Sequence, residues 1–407
     1  MVAQLRAPKN IRNAHTPQSP SHLARFISLH YISQMPKPKK RKRLFIVAAL
    51  ALIGAVGLFA QQRWLHDLRA LQIGGAPTDV APLAKWPWPK ATTDAPTQGV
   101  THWLANQSDG TICELLEFDF AANPRLKFQM FDQDSDDAKP WDNHCLYWKR
   151  GAAQMTRQLN AQNGRVVALW NGLFFGYHGG NKWIGGDAFH VSPVVVNGKV
   201  HSFGANHRWS FGVQTVDGHP RFQTFHEPSA ATLKANYEFG GGGAQYLIRD
   251  GQPLALRAYG LPPLLQPVAS TPLEAGHIPD FDAMKSSRAS ISWSKDSSKM
   301  WLLFVKEGDS EGASISALRV GGGLFGVGLM GGWSVADVQR FWLSKGAWGA
   351  INSDAGDVAQ LSVVRPDGNY DLVPSRQGSS AMRLTFAPDF AGAPDGGALM
   401  YFAVTES

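Results

Sequence analysis

Three short stretches of this sequence carry side chains that could do chemistry at points where a rigid element would aim them. Asn352-Ser353-Asp354 follows the apolar run Ala347–Ile351, and Arg288 opens the strand-like run Arg288–Ser292. Asn171 follows the apolar run Val166–Trp170 and leads into Phe174 and Phe175. Polar residues just past a buried strand are well placed to act, because the strand fixes their direction and the loop exposes them. A carboxylate such as Asp354 can serve as acid, base or nucleophile. A guanidinium such as Arg288 grips phosphate oxygens in a fork. Asp357 adds a second carboxylate close by. Each position also has a plain reading: an arginine opening a strand is commonly a surface charge, and an aspartate after one is commonly a turn or cap.

The elements that would position them are legible. Before Asp354, Ser334 can cap a helix with Asp337 in the capping-box position and Trp333 stapled onto Val338. Val335, Val338, Phe341 and Trp342 fall on one face of that helix, Lys345 suits its C-terminal dipole, and Gly346 ends it. Trp148–Gln162 reads as a second helix. Hairpin turns are marked by Asn197-Gly198, Asp217-Gly218, Asp250-Gly251 and Asp367-Gly368, each between apolar runs. A fifth hairpin spans Arg288–Lys306 through a longer loop, and the runs Thr111–Phe120 and Leu126–Gln133 alternate well enough to pair with each other. The plan is α+β: a mixed, hairpin-rich β-sheet core with a few covering helices, preceded by an N-terminal membrane-targeting helix.

Other motifs fall short of a chemistry. From Asp132 the sequence DQDSDDAKPWDN has acids at the first three odd positions of a calcium loop, but Asp137 stands where glycine is required and Asn143 where a bidentate glutamate belongs. A solvated acidic turn is the leading reading and a divalent calcium site the alternative; no other cofactor is expected. Gly321–Gly326 matches G-x-G-x-x-G without the strand–helix unit of a dinucleotide site, and together with Gly240–Gly243 it reads as flexible loop. His190, His201, His207 and His219 gather around the 190–220 hairpins without metal-ligand spacing and read as surface or core residues. No G-x-S-x-G elbow is present.

Charge is unevenly spread. Of 39 Lys and Arg residues, ten lie in residues 1–43, which contain no acid; the other 29 face 32 Asp and Glu. The folded part therefore has no excess of basic charge, which argues against nucleic acid as a partner. Residues 1–43 read as a disordered basic cytoplasmic segment ending in PKPKKRKR, and 44–60 as a 17-residue apolar transmembrane anchor or signal. Leu58 is poorly suited to a cleavage site, so an uncleaved single-pass anchor in the cytoplasmic membrane is favoured over secretion after cleavage. Either way the C-terminal part is exported. Residues 61–98 read as a Pro-rich stalk and 99–407 as the folded domain. Cys113 and Cys145 are either one disulfide or two buried thiols.

The order of landmarks from about residue 110 to 405 resembles the phosphodiester glycosidase domain family. Asn171-Gly172-Leu173-Phe174-Phe175 is similar to that family's N-[GA]-G-F-F strand end, and Phe211-Gly212-Val213 to its next hairpin. GGGGAQYLIRDG is similar to its glycine-rich approach to a third landmark, and Ser287–Ser292 to its arginine-bearing strand. Gly346 through Asn352-Ser353-Asp354-Ala355-Gly356-Asp357 is similar to its helix-to-N-x-D-G-G corner. Leu173, Ser292 and Ala355 stand where the family carries glycine, changes expected to narrow or reshape a pocket. The resemblance implies an exported hydrolase acting on a sugar-1-phosphodiester of envelope or exopolysaccharide glycans. In it Asp354 works at the anomeric carbon or on a water, Arg288 holds the phosphate, and Asn171 and Asn352 hold sugar hydroxyls. Phe174 or Phe175 would lie under the ring, with Asp357 as a carboxylate peculiar to this chain. The alternative is a catalytically inactive glycan-binding envelope protein of the same fold.

Overall fold

The computed structural model describes residues 50–54 and, from 80 to 407, all but 134–144, 148–149, 163, 182–184, 191, 204–208, 227–228, 243–244, 254–284, 309–331, 355, 376–381 and 391–396. Residues 50–54 are helical and exposed. The remainder of the 44–60 apolar segment, residues 1–43 and Gly321–Gly326 lie outside the described residues. Among the described residues no helix is long and apolar enough to cross a membrane.

The described strands from residue 92 onward form four sheets. An eight-stranded sheet runs in the order Thr92–Thr97, Val100–Asn106, Ile112–Asp119, Lys299–Lys306, Arg288–Trp293, Gly349–Asn352, Gln245–Arg249 and Gln252–Pro253. A six-stranded sheet runs Leu384–Phe386, Tyr370–Val373, Leu361–Val364, Arg165–Asn171, Met400–Glu406 and Leu126–Asp132. Five strands order as Lys199–Ser202, Val194–Val196, Phe239–Gly242, Trp209–Val216 and His219–His226. The three-stranded sheet is Cys145–Tyr147, Gly185–His190 and Phe175–Asn181. Pairings among the described strands are antiparallel. Among the described residues from 92 onward, three α-helices accompany them: α1 (Ala152–Gln162), α2 (Ala230–Asn236) and α3 (Val335–Lys345). The sheet-rich α+β plan of the sequence is the plan of the molecule.

Strand alternation explains the layering. In Lys299–Lys306, Met300, Leu302 and Phe304 enter one core with Trp170, Phe211, Phe239 and Phe402 from the six- and five-stranded sheets. Trp301, Leu303 and Val305 enter a second core under Val335, Val338, Phe341 and Trp342 of α3. A third core packs Met155 and Leu159 of α1 against the far face of the six-stranded sheet. Central strands are thus covered on both faces, which is why they read as unbroken apolar runs. Each fully buried aliphatic or aromatic side chain stabilises the fold by about 1.5–3 kcal/mol relative to exposure.

The turn reading holds in detail. Asn197 and Gly198 both take positive φ, as do Asp217 with Gly218 and Asp250 with Gly251, which is what a two-residue hairpin turn requires. The Ser334–Asp337 capping box is complete, and Gly346 ends α3 at φ 81.

Four expectations need correction, and one open alternative is decided. The runs around Ile112–Asp119 and Leu126–Asp132 do not pair: the first lies between Val100–Asn106 and Lys299–Lys306, the second beside Met400–Glu406 in another sheet. Two alternating strands carry no record of which partner they take when no tight turn joins them. Gly240–Gly242 is a buried strand rather than a loop, because a Cβ at Gly241 would lie 2.4 Å from Leu173 Cδ1 and at Gly240 3.0 Å from the Phe211 carbonyl. The helix read from Trp148 begins at Ala152. Part of the stalk belongs to the fold: Thr92–Thr97 is an edge strand, and Ala81, Ala84 and Trp88 are buried against α3. Prolines kept this segment from reading as core, but the apolar area of its tryptophans binds it there. The open alternative concerns the cysteines: Cys113 is a free, buried thiol rather than half of a disulfide, and burial pushes its pKa well above the ordinary thiol range.

Candidate active site

The Asn352–Asp354 corner is built where two sheets meet. Gly349–Asn352 is buried throughout and lies between Arg288–Trp293 and Gln245–Arg249, with Asn352 opposite both Ser290 and Gln245. At Ser353 the chain leaves the eight-stranded sheet. The Ser353 N–H donates to the Ala289 carbonyl at 2.8 Å, and its hydroxyl lies 3.1 Å from that oxygen and 3.2 Å from the Asn171 carbonyl. One residue on, the Asp354 N–H donates to the Gly172 carbonyl at 2.8 Å, and the Gly356 N–H donates to the Ser287 carbonyl at 3.1 Å. Three stretches far apart in sequence, 171–172, 287–289 and 352–356, are therefore stitched together by main-chain hydrogen bonds.

Arg288 is 1% exposed, and its Nε donates to the Trp333 carbonyl at 2.9 Å. Trp333 and Ser286 exchange backbone hydrogen bonds at 3.0 and 3.1 Å, so the residue before α3 is clamped over the start of the arginine strand. Ser290 bonds the Trp342 indole at 2.7 Å, which sets the α3 side of this strand. Arg288 and Asn352 share that side, since Asn352 pairs with Ser290; such diagonal neighbours lie about 7–8 Å apart.

Asn171 sits differently from the sugar-facing role implied for it. Fully buried, its amide accepts from the Gln360 N–H at 2.7 Å and donates to the Val358 carbonyl at 3.0 Å. It braces the loop that follows Asp354. Gln360 extends the brace, accepting from the Ala152 N–H at 2.7 Å and donating to the Tyr401 hydroxyl at 3.0 Å. Leu173 turns into the main core against Gly241, so this departure from glycine fills the interior. Phe174 and Phe175 are half-buried, the latter packing toward Ala188 and Leu399. Asp357 lies in the short 3₁₀ turn Gly356–Val358, and Ala355 lies outside the described residues.

A further polar cluster had no clear signal in the sequence. Asp132, the first acid of the calcium-like stretch, ends its strand with its side chain fully buried and accepts at Oδ2 from His190 Nε2 at 2.8 Å and His201 Nδ1 at 3.0 Å. Burial by itself would raise the Asp132 carboxyl; the charge and hydrogen bond of His190, with the hydrogen bond from His201, outweigh it and hold the group well below the usual carboxylate range. The signal lay in the types, one acid and two histidines, but they are 58 and 69 positions apart. The remaining acids of the calcium-like loop lie outside the described residues. Among the described residues no group of three or more His, Cys, Asp or Glu could hold a metal ion.

No protein-family model matches this chain, and no curated protein does. Similar solved structures include the zebrafish N-acetylglucosamine-1-phosphodiester alpha-N-acetylglucosaminidase catalytic domain, auto-inhibited by its pro-peptide. That likeness has a TM-score of 0.46 at 12% identity, over 78% of this chain and 88% of that one. A hypothetical protein from Synechocystis aligns with a TM-score of 0.44 at 11% identity, over 78% of this chain and 64% of that one. This chain thus spans less than two thirds of the Synechocystis protein.

Proposed function

We propose that this protein is an exported, membrane-anchored hydrolase that cleaves the bond between an anomeric carbon and phosphate in a sugar-1-phosphodiester of envelope or exopolysaccharide glycans. One observation carries the reading: the Asp354 corner is hydrogen-bonded to Gly172 and to the 287–289 strand start, so the main chains that bear a carboxylate and a guanidinium are neighbours at one junction of two sheets. Supporting it is the order of the five sequence landmarks that meet or flank that junction. The leaving group of such a substrate is already a stabilised phosphate monoester, so little general-acid help is needed. What the reaction needs is a carboxylate at the anomeric carbon and a cation on the phosphate. Asp354 takes the first role and Arg288 the second, stabilising charge as it develops. Asn352, on the Arg288 side of the sheet, is suited to sugar hydroxyls. Phe174 or Phe175 supplies an apolar face, and Asp357 is a second carboxylate on the same loop. Asn171 acts indirectly, by fixing that loop. Residues 44–60 serve as the anchor that leaves the domain outside the cytoplasm.

A binding-only reading is favoured by Ala355, which stands directly after the aspartate where the resembled family carries glycine. The test assays the full chain on methyl phosphodiesters of glucose, mannose and N-acetylglucosamine 1-phosphate, beside Asp354→Asn and Arg288→Lys. Turnover by the parent and its loss in Asp354→Asn supports the enzyme. Glycan binding by the parent with no turnover on any diester sinks it in favour of binding alone.

A further inference from the structure

We propose that His201 is the acid–base group of the Asp354 site, held in place by Asp132 and His190; this rests on the reading above of a hydrolase that cleaves the anomeric carbon–oxygen bond of a sugar-1-phosphodiester. The three residues come from three sheets: Asp132 from the six-stranded, His190 from the three-stranded and His201 from the five-stranded sheet. His201 is also the extra residue where the pairing of Lys199–Ser202 with Val194–Val196 slips between Val200 and Ser202. Such bulges re-aim a side chain and gather beside active sites. Here the re-aimed imidazole meets a carboxylate.

The cluster is joined to the candidate site by neighbouring backbone. From Asp354 the hydrogen bonds run to Gly172 and from Gly172 to Met400, each at 2.8 Å, and Met400 pairs with Asp132. From the other side Ser202 pairs with Val194, Val194 with Gly241, and Gln245, four residues on, with Asn352. The Asp132–His201 hydrogen bond of 3.0 Å closes this circuit. One ring of adjacent strands therefore carries Asn352 and Asp354 on one side and His201 on the other, with successive strands about 5 Å apart.

A buried ion cluster that only pins three sheets together would enclose all its members. His201 departs from that pattern: its side chain is 15% exposed while those of Asp132 and His190 are 0% and 2%. Because an ionised carboxylate accepts, the Nδ1 of His201 carries the proton and Nε2 is the basic nitrogen; Nε2 makes no hydrogen bond among the described residues. This is the arrangement of an oriented general base. In the first step a carboxylate oxygen of Asp354 bonds the anomeric carbon as the carbon–oxygen bond to phosphate breaks, and the phosphate monoester leaves with the electron pair. In the second, water attacks that carbon, His201 Nε2 takes the water's proton, and the bond to Asp354 breaks with its electrons returning to the carboxylate. The proton on His201 then passes to solvent, and no other reactant is required.

The experiment follows hydrolysis of the same methyl phosphodiesters against pH for the parent, His201→Gln, His201→Gly and Asp132→Asn, with melting temperatures as the check on folding. The expected result is a kcat lower by roughly 10²–10⁴-fold in His201→Gln with KM little changed. Added imidazole restores part of the turnover of His201→Gly, which a structural role alone would not allow. Asp132→Asn, which favours the wrong tautomer, loses turnover as well. The proposal is overturned if His201→Gln keeps parental kcat, or if imidazole restores no turnover to His201→Gly. A parent inactive on every diester removes the reaction itself and this step with it, a result distinct from the first two.

Discussion

The main-chain N–H of Asp354 donates to the carbonyl of Gly172 at 2.8 Å, so the candidate carboxylate is positioned by a residue 182 places earlier in the chain. Gly172 in turn donates to the Met400 carbonyl at 2.8 Å. A Cβ at position 172 would lie 2.8 Å from Met400 Cγ and 3.1 Å from Met400 backbone atoms, and backbone cannot swing aside as a side-chain end can. Gly172→Ala is expected to cost about 1–3 kcal/mol and to reduce turnover beyond what that loss explains, because the shift passes to Asp354. Urea unfolding and the diester assay on the same preparation check it; unchanged turnover in a destabilised variant would mean the corner does not depend on this bond.

Asn171→Ala separates bracing from substrate binding. Removing the amide leaves the Gln360 N–H and the Val358 carbonyl without their present partner, at a cost of about 1–3 kcal/mol for each buried group left unsatisfied. The expected outcome is a lower unfolding midpoint and a lower kcat with KM nearly unchanged. Were the amide to hold sugar instead, KM would rise while the midpoint stayed near the parent's.

What was legible in the sequence was local. The Ser334–Asp337 box, Gly346 and the Asn-Gly and Asp-Gly turns each depend on a few neighbouring residues, and all stand as read. Asp354 was visible as the end of a buried strand for the same reason. Which strands neighbour which was not, since Ile112–Asp119 and Leu126–Asp132 carry the same alternation yet lie in different sheets. The orientation of Asn171 was hidden too, because its partners lie 187 and 189 residues away. Leu173 was expected to crowd a pocket; it fills space opened by Gly241, a complementarity that appears only when the two strands are adjacent.

The segment before the first strand should contribute measurably to stability. Trp86 lies edge-on to Trp103 with centroids 5.2 Å apart, and Lys345 Nζ sits 4.5 Å from the Trp86 ring and 5.1 Å from that of Trp301. The Trp86 N–H donates to Ser344 Oγ at 2.8 Å and the Ala81 N–H to Asp337 Oδ1 at 3.1 Å, so residues 81–86 strap both ends of α3. Trp86→Ala is expected to lose about 2–3 kcal/mol, less than a fully buried tryptophan would. Lys345→Met should lose only about 1 kcal/mol, since its stem packing is retained. An undiminished urea midpoint for Trp86→Ala would show that the strap adds nothing.

His102 makes the stability of the fold fall with rising pH. It is 2% exposed and bonds Asp94 through Nδ1 and Glu114 through Nε2, both at 2.9 Å. Burial alone would lower its pKa, but the two carboxylates more than reverse this and raise it from 6.5 to about 9. Because the folded value lies above the unfolded one, the contribution is complete below pH 6.5, declines between 6.5 and about 9, and is absent above. A gap of this size corresponds to about 3 kcal/mol. Glu114 also holds Arg383 at 3.2 Å, so its carboxylate keeps one cation after His102 loses its proton. Unfolding in urea at about pH 6 and about pH 9.5 should show the parent losing most of that contribution. His102→Gln, which keeps a hydrogen-bonding side chain without the titrating charge, should be less stable at the lower pH and nearly flat across the interval. A parent midpoint that does not fall over this range would mean that His102 stays neutral in the folded protein.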